Sequence, residues 1–303
     1  MYKKILVPLD GSPSAENVLP YARALAKRLS IAVDLLEVVD IVEMARSVSA
    51  ADGLLINRLA EDETRRSALY LKEIAQSFAG VTVDCLVKQG RAADLIIETA
   101  AGEQETLIAM ATHGRSGLNR FLLGSVAEKV LRGSANPLLL ARAIDPAQAG
   151  GEAALKSVIV PLDGSELAET ALPAVEELAK KLQLEVILLR AYAVPYGAYT
   201  AGEGFYDPVN LEAFLARLRE ETKEYLERKT TELKGRGLPN VSYVAKEGLS
   251  ADEIIKFARA TPANLIAMGS HGYSGVKRWV LGSVTEAVVR HAGNPMLVLR
   301  ARA

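Results

Sequence analysis

Short apolar runs alternate along this chain with segments of helical period. Ile5-Leu6-Val7-Pro8-Leu9 is an unbroken apolar run closed by Asp10-Gly11-Ser12. A run of that length ending in a turn predicts a strand buried on both faces. From Ser14 the period changes, with Ala15, Val18, Leu19, Ala22, Leu25, Ala26 and Leu29 at three- and four-residue steps, which predicts a helix over 14–29. VDLLEVV (33–39) reads as a second strand, TVDCLVK (82–88) as a third, TLIAMA (106–111) as a fourth and PLLLAR (137–142) as a fifth. RAADLIIETA (91–100) and GSVAEKVLR (124–132) read as the helices between the later strands. Cys85 alternates with Val83 and Val87, so it is expected in the core. Helices alternating with strands predict a parallel sheet covered on both faces. Ligands in such sheets sit beyond the carboxyl ends of the strands, near the switch in strand order.

The same pattern then recurs. KKILVPLDGS (3–12) matches KSVIVPLDGS (156–165) at an offset of 153. KQGRAADLIIETA (88–100), THGRSGLNRFLLGSV (112–126) and ANPLLLAR (135–142) match KEGLSADEIIKFA (246–258), SHGYSGVKRWVLGSV (270–284) and GNPMLVLR (293–300), each at 158. Four blocks in one order define two copies of a domain, 1–142 and 156–303, joined by an Ala- and Gly-rich linker over 143–155. The second copy carries a net insertion of five residues before Lys246. Its long amphipathic helix is marked by Leu211, Phe214, Leu215, Leu218, Tyr225 and Leu226. The apolar strands 137–142 and 295–300 are expected at sheet edges, where antiparallel contact would pair the two copies within one chain; a homodimer is a further form of the same contact.

Composition narrows the function classes. A formal net charge of −1 over 303 residues gives no basic field for nucleic acid or an acidic membrane surface. A single cysteine permits no intrachain disulfide and suits a reducing compartment. The short apolar run before Asp10 is too brief for a signal-peptide core, and no uncharged apolar stretch reaches a membrane span, so a cytoplasmic protein is expected.

The chemistry concentrates in MGSHGYSGVKRWVLGSV (268–284) and its counterpart MATHGRSGLNRFLLGSV (110–126). Each lies between the fourth strand of a copy and a helix, is rich in glycine and contains no carboxylate. Glycine permits positive φ and close approach of backbone to a ligand. Gly282-Ser283-Val284 and Gly124-Ser125-Val126 would open helices, whose first N–H groups and positive dipole end attract anions. Neither GxxxxGK[ST] nor GxGxxG after the first strand is present, which disfavours a P-loop or a dinucleotide fold.

This segment resembles the ATP-binding motif of the universal stress protein family, G-x2-G-x9-G-[ST]. Gly269, Gly272, Gly282 and Ser283 fit it, as do Gly114, Gly124 and Ser125 in the first copy, where Ala111 replaces the first glycine. VPLDGS, present twice, is also typical of that family. The resemblance implies a doubly wound α/β domain with parallel strand order 3-2-1-4-5, twice over. It also implies a binding site for ATP, with Mg2+ as an accompanying ion. Asp10 and Asp163, following Pro8 and Pro161, would contact the nucleoside. Backbone at Val38 and Ala191 would read the adenine. The phosphates would lie along the glycine loop and the helix starts at Ser125-Val126 and Ser283-Val284.

The residues leave some readings open. Asp10 and Asp163 also suit turns or helix caps, although Ser12 and Ser165 are available as caps. His113 and His271 are loop residues that hydrogen-bond locally or, alternatively, catalyse. His291 sits near a helix C-terminus, and no zinc set is apparent. The tyrosine-rich segment 192–208 suits a lid or an interface equally. The expected function is a regulatory adenine-nucleotide-binding stress protein with little or no turnover. Slow ATP hydrolysis or phosphoryl transfer, and a scaffold without nucleotide, are the alternatives.

Overall fold

The computed structural model describes residues 2–41, 53–103, 105–112, 123–142, 151–193, 208–270 and 281–300. They divide into two units, one of the described residues up to Ala154 with Pro295–Arg300, the other of the described residues from Leu155 to Ser270 with Leu281–Asn294.

The first unit begins with β1 (Lys4–Leu9), a single 3-10 turn (Ala15–Val18), α1 (Leu19–Leu29) and β2 (Ala32–Val39). It continues with α2 (Gly53–Ala75), β3 (Val83–Gln89), α3 (Ala92–Ala101), β4 (Thr106–Ala111), α4 (Ser125–Gly133) and β5 (Leu138–Ala141). The strands lie in the order β3-β2-β1-β4-β5 and are parallel. Five consecutive residues of β1, Ile5 to Leu9, are buried. Successive strand side chains point to opposite faces, so both faces of the sheet are covered. Ile5, Leu6, Leu35, Leu36, Leu107 and Ile108 are among the side chains fully withdrawn from water, each worth roughly 1.5–3 kcal/mol of transfer free energy.

The second unit repeats the plan with β6 (Ser157–Pro161), α5 (Glu166–Glu169), α6 (Leu172–Leu182), β7 (Glu185–Tyr192), α7 (Pro208–Gly235), β8 (Val241–Glu247), α8 (Ser250–Ala260), β9 (Asn264–Gly269) and α9 (Ser283–His291). Its strands follow β8-β7-β6-β9, the order of β3-β2-β1-β4. The chain then returns to the first unit as β10 (Met296–Leu299), antiparallel to β5, with Met296 opposite Leu140, Leu297 opposite Leu139 and Val298 opposite Leu138. The expected contact of strands 137–142 and 295–300 is this pair.

Two local readings change. Cys85 is half-buried rather than a core residue, because β3 lies at the edge of the strand order and carries intermediate or exposed positions throughout. In α7, Phe214 is 40% exposed whereas Tyr225 and Leu226 are 7% and 0% exposed. The helical period there is right, but the buried side chains among those described, such as Tyr225, Leu226 and Leu233, lie in the later turns of a helix that packs on β7 and β8.

Candidate functional site

Each copy begins its site with the turn after its first strand. Gly11 and Gly164 take φ of +76° and +90°, a conformation that side-chain-bearing residues rarely adopt. The turn folds the aspartate back on itself. Asp10 Oδ1 accepts hydrogen bonds from Ser12 N at 3.0 Å and Ser12 Oγ at 2.6 Å. Asp163 Oδ1 accepts the equivalent pair from Ser165 at 2.9 and 2.6 Å. The serine hydroxyls in turn accept from Ala15 N and Ala168 N, both at 3.1 Å, so Ser12 and Ser165 close the following turn of helix. The aspartates therefore do not cap those helices; they are carboxylates held in one orientation at the carboxyl ends of β1 and β6.

The neighbouring strand carries the second half. The Gly124 N–H donates to Thr112 O at 2.8 Å, and the Gly282 N–H to Ser270 O at 2.9 Å. The glycine-rich segment thus leaves and rejoins the end of β4 or β9 at one place. Gly124 and Gly282 are the N-caps of α4 and α9, and neither start has a side-chain cap hydrogen bond. A helix start leaves its first N–H groups without intrahelical partners, and a glycine cap puts no side chain in front of them. The φ of both glycines is −61°. The expectation that positive φ explains glycine here does not hold at the caps.

Between the two halves the sheet opens. β1 pairs with β2 along its whole length, Lys4 to Leu9, but with β4 only from Lys4 to Leu6. Likewise β6 pairs with β7 from Ser157 to Pro161, but with β9 only as far as Ile159. The ladder ends before the strands do, at the point where strand order reverses, which is where ligand crevices lie in open α/β sheets. Carrying the register forward sets Asp10 level with Thr112 and Asp163 level with Ser270.

The long helix, packed on β2 or β7, is tied to the helical turn that follows the aspartate turn. Tyr70 Oη donates to Glu16 Oε1 at 3.0 Å, and Tyr225 Oη to Glu169 Oε1 at 2.8 Å. Burial pushes both phenols above the usual tyrosine range, and hydrogen bonds to Glu16 and Glu169 add to it. The charge of Asp10 acts on Tyr70 and that of Asp163 on Tyr225. These tyrosines stand 155 residues apart, between the offsets of 153 and 158, so two of the inserted residues precede Tyr225 and three follow it.

The universal stress protein family model matches residues 1–142 and again 154–300. The chain belongs to the universal stress protein family. A universal stress protein of Methanocaldococcus jannaschii is 32% identical over 142 residues, 47% of this chain and 83% of that protein. One from Mycolicibacterium smegmatis is 23% identical over 303 residues, covering 98% and 97% of the two chains. The crystal structure of a universal stress protein from Archaeoglobus fulgidus superposes with a TM-score of 0.71 at 23% identity, covering 99% of each chain, and shows the same fold.

Within this universal stress protein fold, Pro8 and Pro161 are buried in their strands, and Val38 and Ala191 are half-buried near the ends of β2 and β7. Ser125 and Ser283 are exposed at the helix starts, followed by half-buried Val126 and Val284. Ala111 and Gly269 are the last residues of β4 and β9. Gly269 is not among the positive-φ glycines, so alanine in the first copy carries no backbone strain at that place. Gly114, Gly272, His113, His271 and the tyrosine-rich segment 194–207 lie outside the described residues. His291 ends α9 at the surface, and Arg259 donates to its carbonyl and, at 3.2 Å, to that of Ala292. The tyrosine–glutamate bridges were missed. Their signal was present in the repeat: Glu16 and Glu169 match at 153, and each copy has one tyrosine in the later turns of its long helix.

Proposed function

We propose that this chain binds adenine nucleotides, ATP with Mg2+ as its counter-ion, at one site in each copy, and that it acts as a regulatory stress protein with little or no turnover. The observation that supports the reading is the pair of neighbouring strand ends at the switch in strand order, found twice. One strand leads to an oriented aspartate, the other to a glycine-capped helix start. Asp10 and Asp163, each with about four lone-pair positions, are proposed to accept from nucleoside hydroxyls. Backbone at Val38 and Ala191 is proposed to read the adenine. The N–H groups at Ser125-Val126 and Ser283-Val284 are proposed to take the phosphates, with Gly114 and Gly272 letting the loop approach closely. Among the described residues no cluster of three or more His, Cys, Asp or Glu is placed to hold a metal ion. Mg2+ is proposed to enter as a partner of the phosphates.

The two domains, 1–142 and 156–303, are proposed to work as an intramolecular pair. No described helix is long and apolar enough to cross a membrane, and a cytoplasmic site of action is part of the proposal. The test is mass spectrometry of small molecules released from gently purified protein, with a thermal-shift titration of ATP and AMP. Released adenine nucleotide and a rise in melting temperature support the reading. No released nucleotide together with no shift at millimolar ATP overturns it.

A further inference from the structure

Among the described residues, the two copies carry opposite charges at one position on the strand next to the aspartate turn. Glu37 and Arg190 are equivalent: Glu37 follows Leu36, the register partner of Pro8, and Arg190 follows Leu189, the partner of Pro161. Glu37 is 4% exposed, and its charge acts on the same Tyr70 phenol as that of Asp10. The Arg190 guanidinium lies against the turn that holds Asp163. A β-carbon on Gly164 would meet Arg190 Nη2 at 3.2 Å. The same guanidinium stacks over the Tyr225 ring, 4.8 Å from its centroid.

The long helices repeat the contrast. Arg228 lies 5.5 Å from the Tyr225 centroid, and Lys229 Nζ is 2.6 Å from Glu169 Oε2. At the offset of 155 that relates Tyr70 to Tyr225, those positions are Glu73 and Ile74 in the first copy. Around Tyr70 the structure gathers Asp10, Glu16 and Glu37; around Tyr225 it gathers Asp163 and Glu169 with Arg190, Arg228 and Lys229.

We infer that Glu37 and Arg190 set the anionic charge each site accepts. The second copy takes the polyanionic nucleotide, ATP, and the first favours a ligand of lower charge, a nucleoside or its monophosphate. The inference rests on the nucleotide-binding reading. Its physical basis is simple: both ligands share the adenosine moiety, so a fixed charge beside the crevice acts on the phosphates and barely on the neutral nucleoside. Coulomb interaction with a triphosphate is long-ranged at low salt, so reversing one such charge should change affinity roughly tenfold, and screening by salt reduces the effect.

The experiment is calorimetric titration of the full chain with ATP and, separately, with adenosine, at low and at physiological salt. Two classes of ATP site are expected, converging as salt rises. Arg190→Glu should lower the ATP-to-adenosine affinity ratio of the tighter class about tenfold. Glu37→Gln, a near-isosteric change suited to a buried position, should raise that of the weaker class. Arg190→Gln gives an intermediate loss if the reversal harms folding. A single ATP class in the unaltered chain overturns the inference, as do ratios that Arg190→Gln and Glu37→Gln leave within twofold. Failure of ATP and adenosine alike to bind the unaltered chain overturns the nucleotide reading itself, and this inference with it.

Discussion

Gly164 offers a measurable handle on the aspartate turn. Its φ is +90°, and a β-carbon there would press on the Arg190 guanidinium at 3.2–3.4 Å. Gly237, in the same unit, has φ +89° and would place its β-carbon no closer than 3.9 Å to the end of Lys180. The two glycines thus share a backbone conformation and differ in what surrounds them. Alanine at either should cost about 1–2 kcal/mol for the left-handed backbone. At Gly164 the guanidinium must also move, which disturbs its stacking on Tyr225 and adds roughly 0.5–1 kcal/mol at a partly exposed site. Gly164→Ala should therefore destabilise more than Gly237→Ala by that increment, read from urea midpoints at unchanged m-value. In an Arg190→Ala background the increment should vanish, since residues in contact are non-additive. Equal losses for the two glycines, or an increment that persists without Arg190, would refute the assignment of Arg190 to this turn.

Other perturbations follow from the same geometry. Tyr70 and Tyr225 hold phenol pKa values above their unfolded value near 10. The stability they contribute is whole below about pH 10 and is lost as pH rises from there toward the folded pKa. The Tyr70→Phe/Tyr225→Phe protein should accordingly lose less stability between pH 9.5 and 11 than the parent, measured by denaturant titration; an unchanged alkaline slope would count against the phenol–carboxylate bridges. Cysteines at Leu139 and Leu297, opposite each other in the β5–β10 pair, should form an intrachain disulfide in a Cys85→Ser background, because directly opposed residues lie about 4.5–5.5 Å apart. Exclusively intermolecular products on a non-reducing gel would contradict the pairing.

The strands were legible because buried parallel strands leave unbroken apolar runs, and TLIAMA coincides with β4 residue for residue; their order came only from the family resemblance. The repeat made each assignment twice. Edge position was not legible at Cys85, since alternation marks which residues share a face but not how well the strand is covered. The aspartate turn could be seen in Asp-Gly-Ser, though the sequence did not say whether aspartate or serine would close the helix. Serine does so because its hydroxyl accepts from the amide three residues on, leaving Asp10 and Asp163 as the acceptors behind it. Glycine at 124 and 282 suggested unusual dihedrals, yet both caps are extended. Glu37 and Arg190 went unread because a charge inside a strand-like run gives no period of its own. Only the register against Pro8 and Pro161 shows where it sits.

The central claim, that two glycine-capped crevices hold adenine nucleotide phosphates, is tested most directly by calorimetric titration of ATP into the full chain and into its Gly124→Trp/Gly282→Trp variant. Two ATP bound per chain, with affinity falling at least tenfold in a variant that keeps the parent's far-ultraviolet circular dichroism, is the predicted result. ATP affinity unchanged in the folded double variant, or no ATP binding by the parent chain, would contradict it.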